Sequence, residues 1–113
     1  MIILEKPVTR AELIELAENF YGDMVKGVVD VDKELLAIDA ELHSDLEGLL
    51  MGEGSLQEAL WGINLYPEAD DEDFLEFDSL INIRPRQGNR SRYVENEEIR
   101  EKIRIIVNKY MVG

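Results

Sequence analysis

The residues best suited to chemistry in this chain lie between Ile81 and Arg92, in the run Ile-Asn-Ile-Arg-Pro-Arg-Gln-Gly-Asn-Arg-Ser-Arg. Four arginines fall within nine residues of a protein whose formal net charge is −13. A guanidinium group donates parallel hydrogen bonds that match the geometry of a phosphate or a carboxylate. Pro85 stiffens the segment, and Gly88 lets its main chain turn toward a ligand. The segment therefore predicts a site for an anion.

The predicted ligand-binding groups are arginine, amide and hydroxyl side chains. They are Asn64, Asn82, Arg84, Arg86, Gln87, Asn89, Arg90 and Ser91. Asn64 is included because a hairpin would place it near Asn82. We call residues 84–92 the arginine loop. It matches neither a Walker loop, which needs Gly-Lys-Ser/Thr, nor a dinucleotide-binding glycine triplet. We predict a phosphate-bearing small molecule or a short RNA as its ligand, with no cofactor and no metal.

Two other roles for the arginine loop stay open. Residues 1–83 contain 21 carboxylates and only 4 basic groups, so the arginines could pair within their own protein. The loop could also form a protein-interaction or self-association surface, which would make a homo-oligomer.

An enzyme is a further alternative, and it rests on His43. This residue is the only histidine of the chain, and histidine titrates near neutral pH. A hydrolase could use His43 as acid or base, with Asp45 orienting it and the arginine loop stabilising charge on the substrate. This mechanism requires His43 to lie near the loop. A structural or surface histidine is the simpler interpretation.

Length and composition indicate one soluble domain over residues 1–113. The hydrophobic content of 45% and charged content of 33% are those of a globular protein. Because the chain has no cysteine, disulfides, thiolate zinc sites and cysteine nucleophiles are excluded. No apolar run approaches the ~18 residues of a membrane span, and the N-terminus lacks the basic region of a signal peptide. We therefore expect a cytoplasmic protein without membrane contact.

The charge distribution argues against bulk DNA binding. Residues 1–83 have a balance of 4 − 21 = −17, whereas residues 84–113 have a balance of 8 − 4 = +4. The overall negative field repels long nucleic acids, whose affinity depends on phosphate neutralisation. Any nucleic-acid contact would have to be short and local.

Hydrophobic periodicity predicts the elements that must position these residues. From the N-terminus they are a helix over 10–21, a hairpin over 24–39, a helix over 41–50, strands over 56–66 and 74–83, and a helix capped by Asn96. The fold class is α+β, in the order helix, β-hairpin, helix, β-hairpin, helix. Helices are expected on one face of a mainly antiparallel, four-stranded sheet.

Three polar features of these elements have two interpretations each. Asp30 and Asp32 could form a cation site, although solvated edge or turn carboxylates are favoured. The acidic run 67–73 lacks the spacing of an EF-hand, which favours a solvated turn. Gly62 either leaves room above the sheet for a neighbour or a ligand, or accommodates a large side chain across the strand pair.

Three segments together resemble a known family. They are Glu41-Leu-His-Ser-Asp45, Leu60-Trp-Gly-Ile-Asn-Leu-Tyr-Pro67 and Ser79-Leu-Ile-Asn-Ile-Arg-Pro-Arg-Gln-Gly-Asn-Arg-Ser91. The runs look like those of a family of small uncharacterised prokaryotic proteins, known only as a domain of unknown function. The resemblance spans nearly the whole chain. It implies a single-domain length and a prokaryotic origin, but no activity and no catalytic residue.

Overall fold

The computed structural model describes residues 1–112, which form a mixed α+β structure. The strands are β1 Ile2–Ile3, β2 Val8–Thr9, β3 Val25–Asp30, β4 Leu35–Ile38, β5 Leu60–Leu65, β6 Leu75–Glu76 and β7 Met111–Val112. The α-helices are α1 Arg10–Ala17, α2 His43–Gly52 and α3 Glu97–Lys109. Single 3-10 turns lie at Gln57–Ala59, Leu80–Asn82 and Pro85–Gln87. The predicted α+β fold class is therefore confirmed.

The main sheet has five strands, in the order β1-β4-β3-β5-β6, and each neighbouring pair is antiparallel. The predicted sheet of four strands was therefore wrong. It lacked β1, whose Ile2 and Ile3 pair with Ile38 and Ala37. A two-residue strand is too short to show a periodicity, and the same holds for β2 and β7, which pair in parallel as a separate ribbon.

Helices cover both faces of the main sheet, so the expectation of helices on one face was wrong. On β3, Val25 and Val29 face the core that includes α1 and α3, whereas Val28 faces a second core under α2. The six residues of β5 are all buried. A strand buried on both sides reads as a continuous apolar run, and this was the signal in the sequence.

The first helix has its predicted start but ends earlier than residue 21. Glu12 N donates to Thr9 Oγ1 at 3.0 Å, and Thr9 N donates to Glu12 Oε1 at 3.2 Å, which confirms the capping box. At the other end Gly22, with φ +86°, donates its main-chain N–H to the carbonyl oxygen of Ala17 at 2.7 Å. Because this bond closes the chain onto Ala17, residues 18–21 form a turn rather than another helical turn.

The first hairpin was predicted correctly, and Asp30 shapes its turn. Its Oδ1 accepts hydrogen bonds from the main-chain N–H groups of Asp32 and Lys33 at 2.9 and 2.8 Å. Its Oδ2 accepts from Ser55 Oγ at 2.6 Å. Asp30 is buried rather than solvated, whereas Asp32 is exposed. Asp30 is therefore a turn residue with protein partners and not half of a cation site with Asp32.

The second hairpin is much shorter than predicted. Only Leu75–Glu76 of the predicted strand 74–83 pairs with β5, and residues 80–82 form a 3-10 turn instead. Ser79 Oγ accepts from Ile81 N at 3.3 Å, a local side-chain bond that competes with strand pairing. Ile83 is 42% exposed and Asn82 is fully buried, so the alternating apolar pattern does not mark an inward face here. No helix within residues 1–112 is both long enough and apolar enough to cross a membrane.

Candidate functional site

Asn82 covers the outer edge of β5 just before the arginine loop begins. Because β6 pairs only with residues 64 and 65, Gly62 has no strand partner on that side. Gly62 N donates to Asn82 Oδ1 at 2.8 Å, and Asn82 Nδ2 donates to Gly62 O at 3.0 Å. The same Nδ2 also donates to Arg92 O at 3.0 Å. The fully buried amide of Asn82 therefore bonds to the protein's own main chain.

The space above Gly62 is filled by Ser79. A Cβ added at Gly62 would lie 2.5 Å from Ser79 Cβ and 3.1 Å from Ile81 Cγ1. Contacts below 3.0 Å do not occur between real Cβ atoms and their neighbours. The glycine thus makes room for a neighbouring residue of its own chain, and not for a large side chain across the strand pair.

Arg84 continues the cover of the β5 edge. Its guanidinium donates to main-chain carbonyls, namely those of Ile81 (Nε, 2.9 Å), Gln57 (Nη1, 2.9 Å) and Leu60 (Nη2). Its Nη2 lies 3.8 Å from Glu47 Oε2, and its Cζ lies 4.8 Å from the centroid of the Trp61 ring. Burial lowers the pKa of Arg84 and the charge of Glu47 raises it again. This arginine ties the loop to β5.

Asn89 closes the arginine loop. Arg84 N donates to Asn89 O at 2.7 Å and Asn89 N donates to Arg84 O at 3.1 Å, while Gly88 turns the chain with φ +79°. The buried side-chain Nδ2 of Asn89 donates to three carbonyl oxygens. These belong to Asn82 (2.7 Å), Ser91 (3.1 Å) and Tyr93 (2.7 Å). The buried side chain of Asn89 therefore fixes the main chain of the loop.

Three further polar side chains of the loop also have partners in the protein. Gln87 Nε2 donates to Glu58 O at 3.0 Å, and Arg92 Nε donates to Asp78 Oδ1 at 2.7 Å. Ser91 Oγ donates to Glu95 Oε2 at 2.8 Å. That hydroxyl, together with the main-chain N–H groups of residues 90 and 91, lowers the pKa of the Glu95 carboxyl.

Arg86 and Arg90 differ from the other arginines of the loop. Both are exposed, and within residues 1–112 neither guanidinium forms a hydrogen bond or an ion pair. Arg86 lies at the tip, inside the closure between Arg84 and Asn89, and Arg90 follows that closure directly. These two side chains are the ones left available for an external anion.

His43 lies at the start of α2, above β5, and not at the arginine loop. Its Nε2 is 2.8 Å from Ile63 O, and the residue is only 7% exposed. Burial lowers the pKa of His43, while its bond to the Ile63 carbonyl raises that pKa in part. The imidazole is therefore neutral near pH 7. Asp45 is exposed, and its carboxylate has no hydrogen-bond partner in the described chain.

Asn64 lies close to His43 but turns its amide nitrogen toward β6. Asn64 Nδ2 donates to Glu76 Oε1 at 2.8 Å and to Asp78 O at 3.1 Å. The Tyr66 hydroxyl shares the same Glu76 oxygen at 3.0 Å. Burial, and secondly the bond to Glu76, raise the pKa of Tyr66 to about 12. Asn64 thus belongs to a polar group around His43 and Glu76.

This polar group and Arg84 are at opposite ends of β5. Arg84 bonds to Leu60, whereas Asn64 lies four residues further along, about 13 Å at the rise of a β-strand. The structure therefore brings Asn82, Arg84, Gln87, Asn89 and Ser91 together around the loop. His43 and Asn64 form a separate site.

A groove of ≈ 920 Å³ runs beside the C-terminal half of the loop, and its charge is negative. Ser91 and Arg92 line it, but so do four carboxylates, those of Glu72, Asp73, Glu76 and Asp78. The one arginine is already paired with Asp78. A phosphate is therefore disfavoured inside this groove. Within residues 1–112 no three histidine or carboxylate side chains are grouped to hold a metal ion.

A family model described as "Protein of unknown function (DUF5674)" matches residues 2–110. The chain belongs to this family. No curated protein and no solved structure matches the chain. The resemblance stated from the sequence is thereby confirmed as a family of unknown function, and the prokaryotic origin stays a prediction.

In this DUF5674 protein, sequence reasoning missed the acidic partners of the loop. Glu95 and Asp78 hold Ser91 and Arg92, and neither was named as part of the site. The four-residue spacing from Ser91 to Glu95 was a local signal. Gln57 and Leu60, which supply carbonyl oxygens to Arg84, had no signal because any residue type provides a carbonyl.

Proposed function

We propose that this DUF5674 protein is a binding module that takes a phosphate-bearing small molecule at Arg86 and Arg90. One observation carries this proposal. Arg84 and Arg92 are occupied inside the protein, whereas Arg86 and Arg90 have no partner in residues 1–112 of a chain with 25 acidic residues. Internal pairing accounts for two of the four arginines and leaves the other two for a ligand.

The loop is suited to binding because its main chain is already ordered. Asn82, Arg84 and Asn89 fix it through buried or half-buried hydrogen bonds. A preformed support lowers the entropy that a ligand must overcome. Only the side chains of Arg86 and Arg90 then have to be immobilised, and each can form a bidentate pair with phosphate oxygens.

The affinity should be modest, because the two arginines are exposed at the surface. Exposed ion pairs gain little in water. We expect a dissociation constant of about 1 mM for inorganic phosphate. A phosphate ester should bind more tightly if the rest of the ligand contacts the loop.

An NMR titration tests this function. Amide shifts of residues 84–92 should respond saturably to inorganic phosphate or a nucleoside monophosphate, and the response should be lost in Arg86→Ala/Arg90→Ala. Lys6→Ala/Lys102→Ala is the matched control, because both lysines are exposed and the net charge changes equally. A short oligoribonucleotide forms a third arm. A flat response to all three ligands rejects the proposal.

A protein-interaction surface is the second candidate function, and a separate observation favours it. Near the two free arginines, Leu80, Ile83 and Tyr93 are 66%, 42% and 48% exposed. Tyrosine and arginine are enriched in the residues that dominate protein interfaces. If the surface binds a second copy, the sedimentation coefficient should rise with concentration and Leu80→Ser/Arg86→Ala should remove the rise. A constant mass over a wide concentration range rejects self-association.

A further inference from the structure

A second cleft, of ≈ 720 Å³, lies between α3, the start of α1 and the segment after β5. Its volume is in the range of small-molecule sites, about 300–1000 Å³. The apolar part of its lining comes from both sides of the cleft. It consists of Phe74, Leu75, Phe77, Val107, Met111 and Val112. The cleft shares none of its residues with the arginine loop.

Two arginines lie over the aromatic rings of this lining. Arg10 Cζ is 4.4 Å from the centroid of the Phe74 ring, and Arg104 Cζ is 5.5 Å from that of Phe77. The arginines belong to α1 and α3, so the fold brings them together from distant parts of the chain. Cations stacked on aromatic rings and beside aliphatic side chains form an amphipathic surface, with charge next to apolar area.

The guanidinium groups of Arg10 and Arg104 differ in how many of their nitrogens already donate to the protein. Arg10 is held firmly, because its Nη1 donates to Pro67 O and Ala69 O at 3.1 and 2.9 Å and its Nη2 pairs with Asp71 at 2.7 Å. Arg104 uses only Nη1, which bonds to Glu97 and Glu101 at 3.1 and 3.3 Å.

The Nε and Nη2 edge of Arg104 is therefore without a partner in residues 1–112. That edge presents two parallel N–H donors, which is the arrangement that a carboxylate accepts. The hydrogen bond to Glu97 raises the pKa of Arg104, so the cation persists at every pH of interest.

We propose that this cleft binds a small monocarboxylate with an apolar body, such as a medium-chain aliphatic acid. The apolar body would lie against Phe74, Phe77 and Val107, and the carboxylate would accept the two free donors of Arg104. Asp71 and Glu72 at the same cleft disfavour ligands with several negative charges. This is why we propose a carboxylate here rather than a phosphate.

Titration with octanoate below its micelle concentration tests the site. Saturable amide shifts should appear at residues 74–77 and 104–111. Octanol, which has the same chain without the charge, and octylamine, which has the opposite charge, should each bind at least tenfold more weakly than octanoate. The proposal is overturned if octanoate gives no saturable shift at these residues, or if octanol or octylamine binds as tightly as octanoate.

Variants test whether the carboxylate binds the guanidinium of Arg104 itself or responds only to positive charge on α3. Arg104→Gln should weaken octanoate at least tenfold and leave octanol unchanged, whereas Lys102→Gln, an exposed neighbour on α3, should leave octanoate unchanged. Asn108→Trp, at an exposed position lining the cleft, should block both ligands. Equal effects of Arg104→Gln and Lys102→Gln, or full binding by Asn108→Trp, would overturn the proposal. Amide spectra without ligand establish that each variant is folded.

Discussion

The side-chain amide of Asn82 takes the place of a β-strand opposite Gly62. Its Oδ1 accepts the Gly62 N–H at 2.8 Å and its Nδ2 donates to the Gly62 carbonyl at 3.0 Å, so both main-chain groups are satisfied at a sheet edge that β6 does not reach. Arg84 does the same for the carbonyl of Leu60. Asn82 and Arg84, which precede the free arginines, thus satisfy main-chain groups at the edge of β5. Through these bonds the sheet supports the loop.

Replacing Asn82 should destabilise the protein strongly. In Asn82→Asp the carboxylate still accepts from Gly62 N, but it loses the donor and faces the carbonyls of Gly62 and Arg92. We expect a loss of about 3 kcal/mol in the free energy of unfolding, because buried polar groups are left unpaired. Asn82→Ala should cost at least as much. Urea unfolding measures both variants, and a change below about 0.5 kcal/mol would contradict the pairing.

A methyl group at Gly62 should clash with Ser79. The added Cβ of Gly62→Ala would lie 2.5 Å from Ser79 Cβ, so the turn must move away from β5. We expect a cost of about 1–3 kcal/mol, typical of overpacking. The double variant Gly62→Ala/Ser79→Gly removes the clashing atoms and should be more stable than the sum of the single costs predicts. Additive costs in urea unfolding would show that the contact is not responsible.

Arg84 and Arg86 should respond differently to the same substitution. Arg84→Lys cannot reproduce donation to three carbonyl oxygens, and we expect a loss of about 2 kcal/mol in unfolding free energy. Arg86→Lys changes an exposed side chain and should stay within about 0.5 kcal/mol. Thermal and urea unfolding of the two variants provide the comparison. Similar losses would contradict the assignment of Arg84 to structure and of Arg86 to ligand binding.

Local signals in the sequence predicted local structure well. The capping box at Thr9 and the cap at Asn96, whose Oδ1 accepts from Ile99 N at 3.0 Å, act within four residues of the chain. The prediction of a strand over 74–83 was wrong beyond Glu76, because it considered only the alternating apolar residues and not the side-chain hydrogen bonds of the segment. After Glu76, side-chain hydrogen bonds of Ser79 and Asn82 replace main-chain strand pairing in this segment.

In the arginine loop, too, residue type alone does not reveal the contacts that decide the structure. The sequence singled out the segment for its four arginines, but Arg84 and Arg86 are identical residues on either side of Pro85. Tertiary contacts of Arg84 distinguish them, among them the bonds to Gln57 and Leu60, which lie more than twenty positions upstream. A prediction from residue type treats all four arginines as equal, whereas tertiary contacts divide them into internal and external groups.

The pH dependence of stability should report the burial of His43. Burial lowers its pKa in the folded protein, whereas in the unfolded chain the pKa is near 6.5. Between these two values the unfolded state binds more protons, so the free energy of unfolding must decrease as the pH falls below about 7. Urea unfolding between pH 7.5 and pH 5.5 measures this decrease.

His43→Gln separates the histidine from other titrating groups. A glutamine amide can still donate to the Ile63 carbonyl but does not titrate, so the decrease between pH 7.5 and 5.5 should be smaller in the variant. The carboxyls of Glu95 and Glu97 have lowered pKa values in the folded protein, so they stay ionised across this range and lose their contributions only in more acidic solution. Equal pH slopes for the two proteins would mean that the pKa of His43 is the same in the folded and the unfolded state, which would contradict the effect of its burial.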